Sequence, residues 1–168
     1  SAEIANGRAE CLKYGVLWDE TLFAALEAGQ PATEEQVARC VGLKRDVVVC
    51  DEHDTGARRK LNLGHTLGHA IEQVSHYKIP HGAAVGIGMA MMAKAFCPAI
   101  DDRLCAALAA NRLPAQCKYA TRELFFAMAQ DKKRVGQNIT IVVPQAIGQC
   151  ELRTLLFNEF ERLLEECL

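Results

Sequence analysis

Residues 58–70 read RRKLNLGHTLGHA, and residues 81–89 read HGAAVGIGM. Four of the five histidines of the chain lie in or between these two stretches, namely His65, His69, His76 and His81. The first stretch also contains three consecutive cations, Arg58 to Lys60. Imidazole nitrogens bind transition metals and cationic side chains bind anions, so this clustering indicates a functional site.

Two helices are predicted to carry these histidines. Asn62 is predicted to cap the first helix, and His65, His69 and Glu72 then fall on one face, with His76 further along it. A second helix is predicted from about His81 to Phe96. The opposite face of the first helix is an apolar stripe formed by Leu63, Leu67, Ala70, Ile71 and Val74.

The rest of the chain is also predicted to be mostly helical. Apolar spacing favours a helix over residues 4–26 that breaks near Trp18, and the capping-box pattern Thr33-Glu-Glu-Gln36 opens another that ends near Cys50. Residues 51–60 are polar and read as a loop. Strands are predicted over 138–143 and 149–153, with a closing helix over 155–167. The predicted fold class is therefore mainly α, a multi-helix domain with a small β-hairpin.

Composition favours one domain that occupies residues 1–168. Half of the residues are apolar, which is enough for a substantial core. The net charge is −2, so neither nucleic acid nor an anionic membrane surface is an expected partner. No apolar run approaches the roughly 20 residues of a membrane span.

The cysteine pattern predicts free thiols. The eight cysteines form no C-x-x-C pair and sit mainly in apolar helical patterns, where cysteine behaves as a small hydrophobic residue. A chain of this size also has little need of disulfides, so a reducing cytoplasmic location is expected.

Spacing alone leaves the metal ligands open. A catalytic zinc site uses three protein ligands and keeps one position for water or substrate, and Glu10, His65 and His81 would make such a set. His65 and His69 are four residues apart, however, and two histidines at this helical spacing also bind a metal together. No βαβ unit with a glycine-rich turn is visible, so no dinucleotide site is expected within this chain.

Several motifs resemble one enzyme family. They are NGRAECLKYG at 6–15, LNLGHTLGHAIE at 61–72, HGAAVGIGM at 81–89, and DKK at 131–133 followed by VPQAIG at 143–148. In order and spacing they resemble 3-dehydroquinate synthase. The resemblance covers almost the whole chain but only the C-terminal half of that family.

The resemblance implies a role for each matching residue. Glu10, His65 and His81 correspond to the metal ligands of the family, which binds Zn²⁺ or Co²⁺. His69 and Lys13 correspond to catalytic residues. The substrate-binding positions are Lys44, Arg58, Asn62, His69, Lys132 and Lys133.

The implied reaction belongs to the shikimate pathway of aromatic amino acid biosynthesis. A lyase that depends on NAD⁺ and zinc converts 3-deoxy-arabino-heptulosonate 7-phosphate, a phosphorylated keto acid, to 3-dehydroquinate and phosphate. NAD⁺ is bound mainly by an N-terminal domain that this chain lacks, so the chain alone is expected to be inactive. A homodimer is expected.

Three other interpretations remain. Another sugar phosphate cyclase would share the metal set, although Lys44, Arg58 and Asn62 favour a carboxylated substrate. A metal-dependent alcohol or glycerol dehydrogenase is less compatible with GHTLGH and DKK. A non-catalytic helical interaction domain is the third.

The chain departs from the family pattern at three positions. Asp54 stands where glutamate is usual, His53 where arginine is usual, and Ala83 where HGEAV would supply glutamate. Asp54 retains the charge on a shorter side chain. The other two changes put local ion pairing beside the site in doubt, but none removes a metal ligand.

Overall fold

The computed structural model describes residues 2–53, 56–131 and 137–167. Short 3₁₀ helices cover Ala57–Asn62 and Pro98–Ile100. The predicted mainly helical fold with one small hairpin is confirmed. Its elements are α1 (Ala2–Trp18), α2 (Glu20–Glu27), α3 (Glu34–Cys50), α4 (His65–Val74), α5 (His81–Phe96), α6 (Asp101–Ala110), α7 (Thr121–Asp131), β1 (Asn138–Ala146), β2 (Gln149–Leu156) and α8 (Phe157–Cys167).

Side-chain caps determine where α2 and α3 begin. Asp19 interrupts the helical pattern, and its Oδ1 accepts from the backbone N–H of Leu22 at 2.9 Å, so α2 begins at Glu20. Thr33 and Gln36 form the predicted capping box, in which each side chain accepts from the backbone N–H of the other residue. Both contacts satisfy N–H groups that have no partner within the helix.

Helix α5 is the centre of the domain. It is buried over most of its length, from Gly82 to Ala93 with Ala83 partly exposed, as expected for a helix that is apolar all round. Val85 and Met89 pack into a core shared with α1, α2 and α6. Ile87 and Met91 pack on the other side, into a core shared with α4, α7, the hairpin and α8. Consequently α5 joins the two apolar cores.

The hairpin extends one side of this arrangement. Strands β1 and β2 are antiparallel, and Ile141 pairs with Arg153. Gly148 turns the chain at φ +84°, and its N–H donates to the carbonyl of Val16 at 3.0 Å, which attaches the turn to α1. Pro144 lies within β1, so this strand is longer than predicted.

Two sequence predictions around the histidines are wrong. Asn62 does not cap α4, because it ends the 3₁₀ helix and Gly64, at φ +75°, is the residue before the first helical turn. Part of the predicted loop over 51–60 therefore belongs to this 3₁₀ helix. His76 does not share the histidine face of α4, because the helix ends at Val74 and His76 has φ +52°.

Helices α4 and α5 touch through their backbones. A Cβ added to Gly88 would lie 2.2 Å from the carbonyl oxygen of Gly64, and one added to Gly64 would lie 2.6 Å from the carbonyl oxygen of Val85. Since no real Cβ comes so close to a backbone atom, glycine is required at both positions. This contact sets how closely the start of α4 packs against the middle of α5.

No helix within the described ranges is both long enough and apolar enough to cross a bilayer.

The glycine contact generates a stability prediction. Gly88→Ala should lower the free energy of unfolding by roughly 1–3 kcal/mol, since a methyl group cannot enter without moving a backbone. Gly42→Ala is the matched control, because a Cβ there has no neighbour within 4 Å and should stabilise α3 by up to about 1 kcal/mol. Urea titration of both variants measures the difference. Equal stability of the two variants would contradict the close contact.

Candidate metal centre

Three helices bring four polar side chains together. His65 is the first residue of α4, His69 lies one turn later, and His81 is the first residue of α5. The ring centroid of His65 lies 5.6 Å from that of His69 and 5.2 Å from that of His81. Glu10 reaches the same place from α1, where its Oε1 lies 3.4 Å from Nε2 of His65. The site is therefore formed by α1, α4 and α5.

The carboxylate of Glu10 has one occupied oxygen and one free oxygen. Lys13, whose side chain is only 3% exposed, donates from Nζ to Oε2 at 2.6 Å. Among the described residues, Oε1 has no hydrogen-bond partner although it is buried. Leaving a buried polar atom without a partner costs about 1–3 kcal/mol. A cation beside Oε1 would remove this cost.

The tautomer and orientation of His65 also suit the binding of a cation beside Glu10. Its Nδ1 lies 3.1 Å from the carbonyl oxygen of Leu63, an acceptor, so we assign the proton to Nδ1. Nε2 then carries a lone pair and faces Oε1 of Glu10. Two lone pairs that face each other repel unless a cation lies between them. The pair therefore has the arrangement of two metal ligands.

Electrostatics keep His65 neutral. Burial, together with the nearby charge of Lys13, lowers the pKa of His65 to about 4, although the charge of Glu10 opposes the shift. Burial also lowers the pKa of Lys13, and the attraction of Glu10 counteracts this change. Near neutral pH His65 therefore presents the unprotonated imidazole that a metal requires.

Two sets of donors are close enough to hold one ion. The ligand atoms of Glu10, His65 and His81 all lie within 4.8 Å of one another, and so do those of His69, Glu72 and His81. The first set fits a metal better, because it contains the free buried oxygen of Glu10. In the second set both oxygens of Glu72 already contact Nδ1 of His81 at 3.3 Å. One oxygen and two nitrogens are ligands that suit Zn²⁺ or Co²⁺.

The other predicted site residues lie around this centre or outside the described residues. His69 is exposed, and its ring centroid is 6.0 Å from that of His81. Lys44, exposed on α3, is near enough for its charge to lower the pKa of Lys13. Lys132, Lys133 and Asp54 are not among the described residues.

Arg58 and Asn62 lie on the segment that leads to α4. The guanidinium of Arg58 donates from Nη1 to the carbonyl oxygen of Glu52 at 3.2 Å. Its backbone N–H donates to Asp51 at 3.0 Å, and this contact holds the start of the 3₁₀ helix. Asn62 is exposed at the end of that helix. Both side chains thus belong to the element that directly precedes His65.

Sequence reasoning gave no role to Glu72, which contacts His81. Its position three residues after His69 and seven after His65 places it on the histidine face of α4. That spacing indicates from the sequence alone that Glu72 lies beside the histidines. The contact itself could not be predicted, because it depends on how α4 packs against the start of α5.

A family model described as 3-dehydroquinate synthase C-terminal matches residues 7–134. The chain belongs to this family. The match includes α1, α3, α4 and α5, and hence every residue of the candidate centre. The resemblance noted from the motifs is thereby confirmed.

Solved structures of sugar phosphate cyclases share the fold. A 2-deoxy-scyllo-inosose synthase complexed with carbaglucose-6-phosphate, NAD⁺ and Co²⁺ matches with a TM-score of 0.76 at 20% identity, over 98% of this chain and 51% of that one. A 2-epi-5-epi-valiolone synthase from Streptomyces hygroscopicus subsp. jinggangensis 5008, with NAD⁺ and Zn²⁺ bound, matches with a TM-score of 0.80 at 22% identity, over 99% and 50%. This family member therefore spans about half the length of both structures.

The buried imidazole predicts a pH dependence of stability in the chelator-treated chain. The pKa of His65 is about 4 in the fold and near 6.5 when unfolded, so the unfolded chain binds more protons between these values. Relative to His65→Gln, the wild type should lose about 2–3 kcal/mol of unfolding free energy as the pH falls from 7 to 4. Denaturant titration at several pH values measures this. A difference that is independent of pH would show that His65 is not buried in its neutral form.

Proposed function

We propose that residues 1–168 form the metal- and substrate-binding domain of a 3-dehydroquinate synthase. With an NAD⁺-binding N-terminal domain, this lyase would convert 3-deoxy-arabino-heptulosonate 7-phosphate to 3-dehydroquinate and phosphate in the shikimate pathway. The observation that carries the proposal is the free buried oxygen of Glu10 beside the unprotonated Nε2 of His65, next to His81, in a chain of this family.

Glu10, His65 and His81 would hold a single Zn²⁺ or Co²⁺ ion. When bound, such an ion polarises a substrate hydroxyl and stabilises the negative charge that develops on its oxygen. Lys13 neutralises the second oxygen of Glu10 and so keeps the first oriented toward the centre. We assign Lys13 a catalytic role because its buried ammonium is bonded to Glu10 and would lie beside a substrate held at the metal.

The substrate needs contacts for a carboxylate and a phosphate. Lys44 is exposed near Lys13, and Arg58 and Asn62 lie on the segment that precedes His65, so we assign these three side chains to the substrate. Charge-assisted hydrogen bonds to these anionic groups would be the strong contacts. His69, exposed beside His65 and His81, would hold or transfer a proton near the phosphate. By resemblance alone, Lys132 and Lys133 would supply further cations.

The rest of the enzyme is part of the proposal. The solved structures that share the fold are about twice as long, and two of them contain NAD⁺, which supports a second domain that binds the nucleotide. NAD⁺ would accept a hydride from the substrate and return it. Without that domain the chain is expected to be inactive. A homodimer in the cytoplasm is the expected setting.

A second candidate is another sugar phosphate cyclase. It is favoured by the structural neighbours, which are an inosose synthase and a valiolone synthase. Carbaglucose-6-phosphate, the ligand of one neighbour, has no carboxylate. The two candidates therefore differ in whether the substrate carboxylate is needed, and Arg58 with Lys44 supports the carboxylated keto acid.

Metal analysis tests the centre directly. The chain should bind one Zn²⁺ or Co²⁺, and His65→Ala, His81→Ala and Glu10→Ala should each abolish stoichiometric binding, because three ligands hold the ion. His76→Ala is the control, since His76 lies outside both donor sets. Plasma emission spectrometry after dialysis gives the metal content. If His69→Ala lost the ion and His81→Ala kept it, the ligand assignment would be wrong.

Kinetics of the full-length enzyme test the substrate site. Arg58→Ala should lower kcat/KM for 3-deoxy-arabino-heptulosonate 7-phosphate by roughly 10–100-fold, the value of one charge-assisted contact, with no change in metal content. Arg59→Ala is the matched control, because its exposed neighbouring side chain has no assigned role. Binding of carbaglucose-6-phosphate should be weak. Unaltered kinetics in Arg58→Ala, together with tight binding of that analogue, would favour another cyclase.

A further inference from the structure

Glu72 connects the side of α4 to the first residue of α5. Both of its carboxylate oxygens lie 3.3 Å from Nδ1 of His81. The side chain of Glu72 is only 15% exposed, whereas that of His81 is 45% exposed. The carboxylate is therefore the enclosed and fixed member of the pair, and the imidazole is the member that it can orient.

A carboxylate at Nδ1 determines what the other nitrogen can do. An ionised carboxylate only accepts hydrogen bonds, so the contact requires a proton on Nδ1 of His81. In the neutral ring Nε2 then carries the lone pair. Because the two nitrogens lie on opposite sides of the ring, fixing Nδ1 against Glu72 leaves Nε2 as the nitrogen available to a metal.

The two imidazoles of the proposed centre are held in the same way. Nδ1 of His65 lies 3.1 Å from the backbone carbonyl of Leu63, and Nδ1 of His81 lies 3.3 Å from the carboxylate of Glu72. An acceptor at one nitrogen fixes the tautomer and increases the basicity of the other.

We propose that Glu72 is the positioning residue of His81, which fixes Nε2 of that ring as a metal ligand without binding the metal itself. The inference rests on the proposed metal centre of Glu10, His65 and His81. It excludes the alternative set of His69, Glu72 and His81, in which the carboxylate would be a ligand.

The contact geometry favours positioning over ligation. Both oxygens of Glu72 lie 3.3 Å from the same nitrogen, Nδ1 of His81, so the carboxylate faces that N–H and either oxygen can accept it. In the same region Glu10 already offers an oxygen with no hydrogen-bond partner among the described residues. One ion is therefore supplied with a carboxylate by Glu10, and Glu72 is left to orient His81.

Three substitutions of Glu72 distinguish a residue that positions His81 from a residue that binds the metal. Glu72→Gln keeps an oxygen that can accept from Nδ1, Glu72→Asp keeps the charge on a shorter side chain, and Glu72→Ala removes both. Gln73→Ala is the control, because Gln73 is the next residue on α4 and is exposed. The affinity of the chain for Co²⁺ is measured by competition with a chelator, and the visible absorption of bound Co²⁺ reports its ligands.

The variants of Glu72 are expected to differ in how much Co²⁺ affinity they lose. Glu72→Ala should weaken Co²⁺ binding by about 10–100-fold, the usual effect of losing such a partner, while Glu72→Gln should recover most of the affinity. The Co²⁺ spectrum of Glu72→Gln should match that of the wild type. If Glu72→Gln lost the ion as completely as His65→Ala, Glu72 would be a ligand. If all three variants bound like the wild type, it would have no role.

A measurement without metal separates this inference from the proposed function. In the chelator-treated chain at alkaline pH, ¹⁵N NMR of His81 should show the proton on Nδ1 in the wild type. The proton should shift toward Nε2, the preferred site in a free histidine side chain, in Glu72→Ala. A wild type that binds no Co²⁺ but shows this change would overturn the metal centre while retaining the contact. The same tautomer in both proteins would overturn the inference itself.

Discussion

The backbone contact between α4 and α5 is the constraint on which the site depends. Gly64 and Gly88 allow the two helices to touch where any side chain would separate them. Gly64 directly precedes His65, whereas Gly88 lies about two turns after His81, so this contact sets how closely the start of α4 packs against the middle of α5. Separating the helices by the width of a methyl group would separate the two imidazoles as well. The glycines therefore set the spacing of the ligands as well as the packing of the core.

Charge is balanced around this pair of helix starts. The first turn of a helix carries N–H groups without partners and favours nearby anions. Glu10 supplies a carboxylate from α1, and Lys13 neutralises one of its oxygens. The other oxygen retains its negative potential next to His65. An arrangement of this kind attracts a cation at one point, while the nearby lysines favour anions.

Local signals in the sequence predicted much of the fold, and long-range contacts determined the remainder. The break at Asp19, the box of Thr33 and the hairpin follow from side-chain chemistry within a few residues. The start of α4 does not, because Gly64 takes a positive φ and packs against Val85 on another helix. The end of α4 was missed because His76 adopts a backbone conformation for which its residue type gives no signal.

The candidate ligands could be recognised from the sequence, but spacing could not choose among them. His65 and His69 are neighbours on one helix by any reading, whereas the contact of His65 with Glu10 joins residues far apart in the chain. Only the packed structure shows that one oxygen of Glu10 is buried with no hydrogen bond among the described residues. Burying this oxygen beside a lone pair makes the metal-free fold less stable than its packing would allow. A cation bound at the proposed centre would recover this stability, and metal affinity would then be coupled to the folded arrangement of α1, α4 and α5.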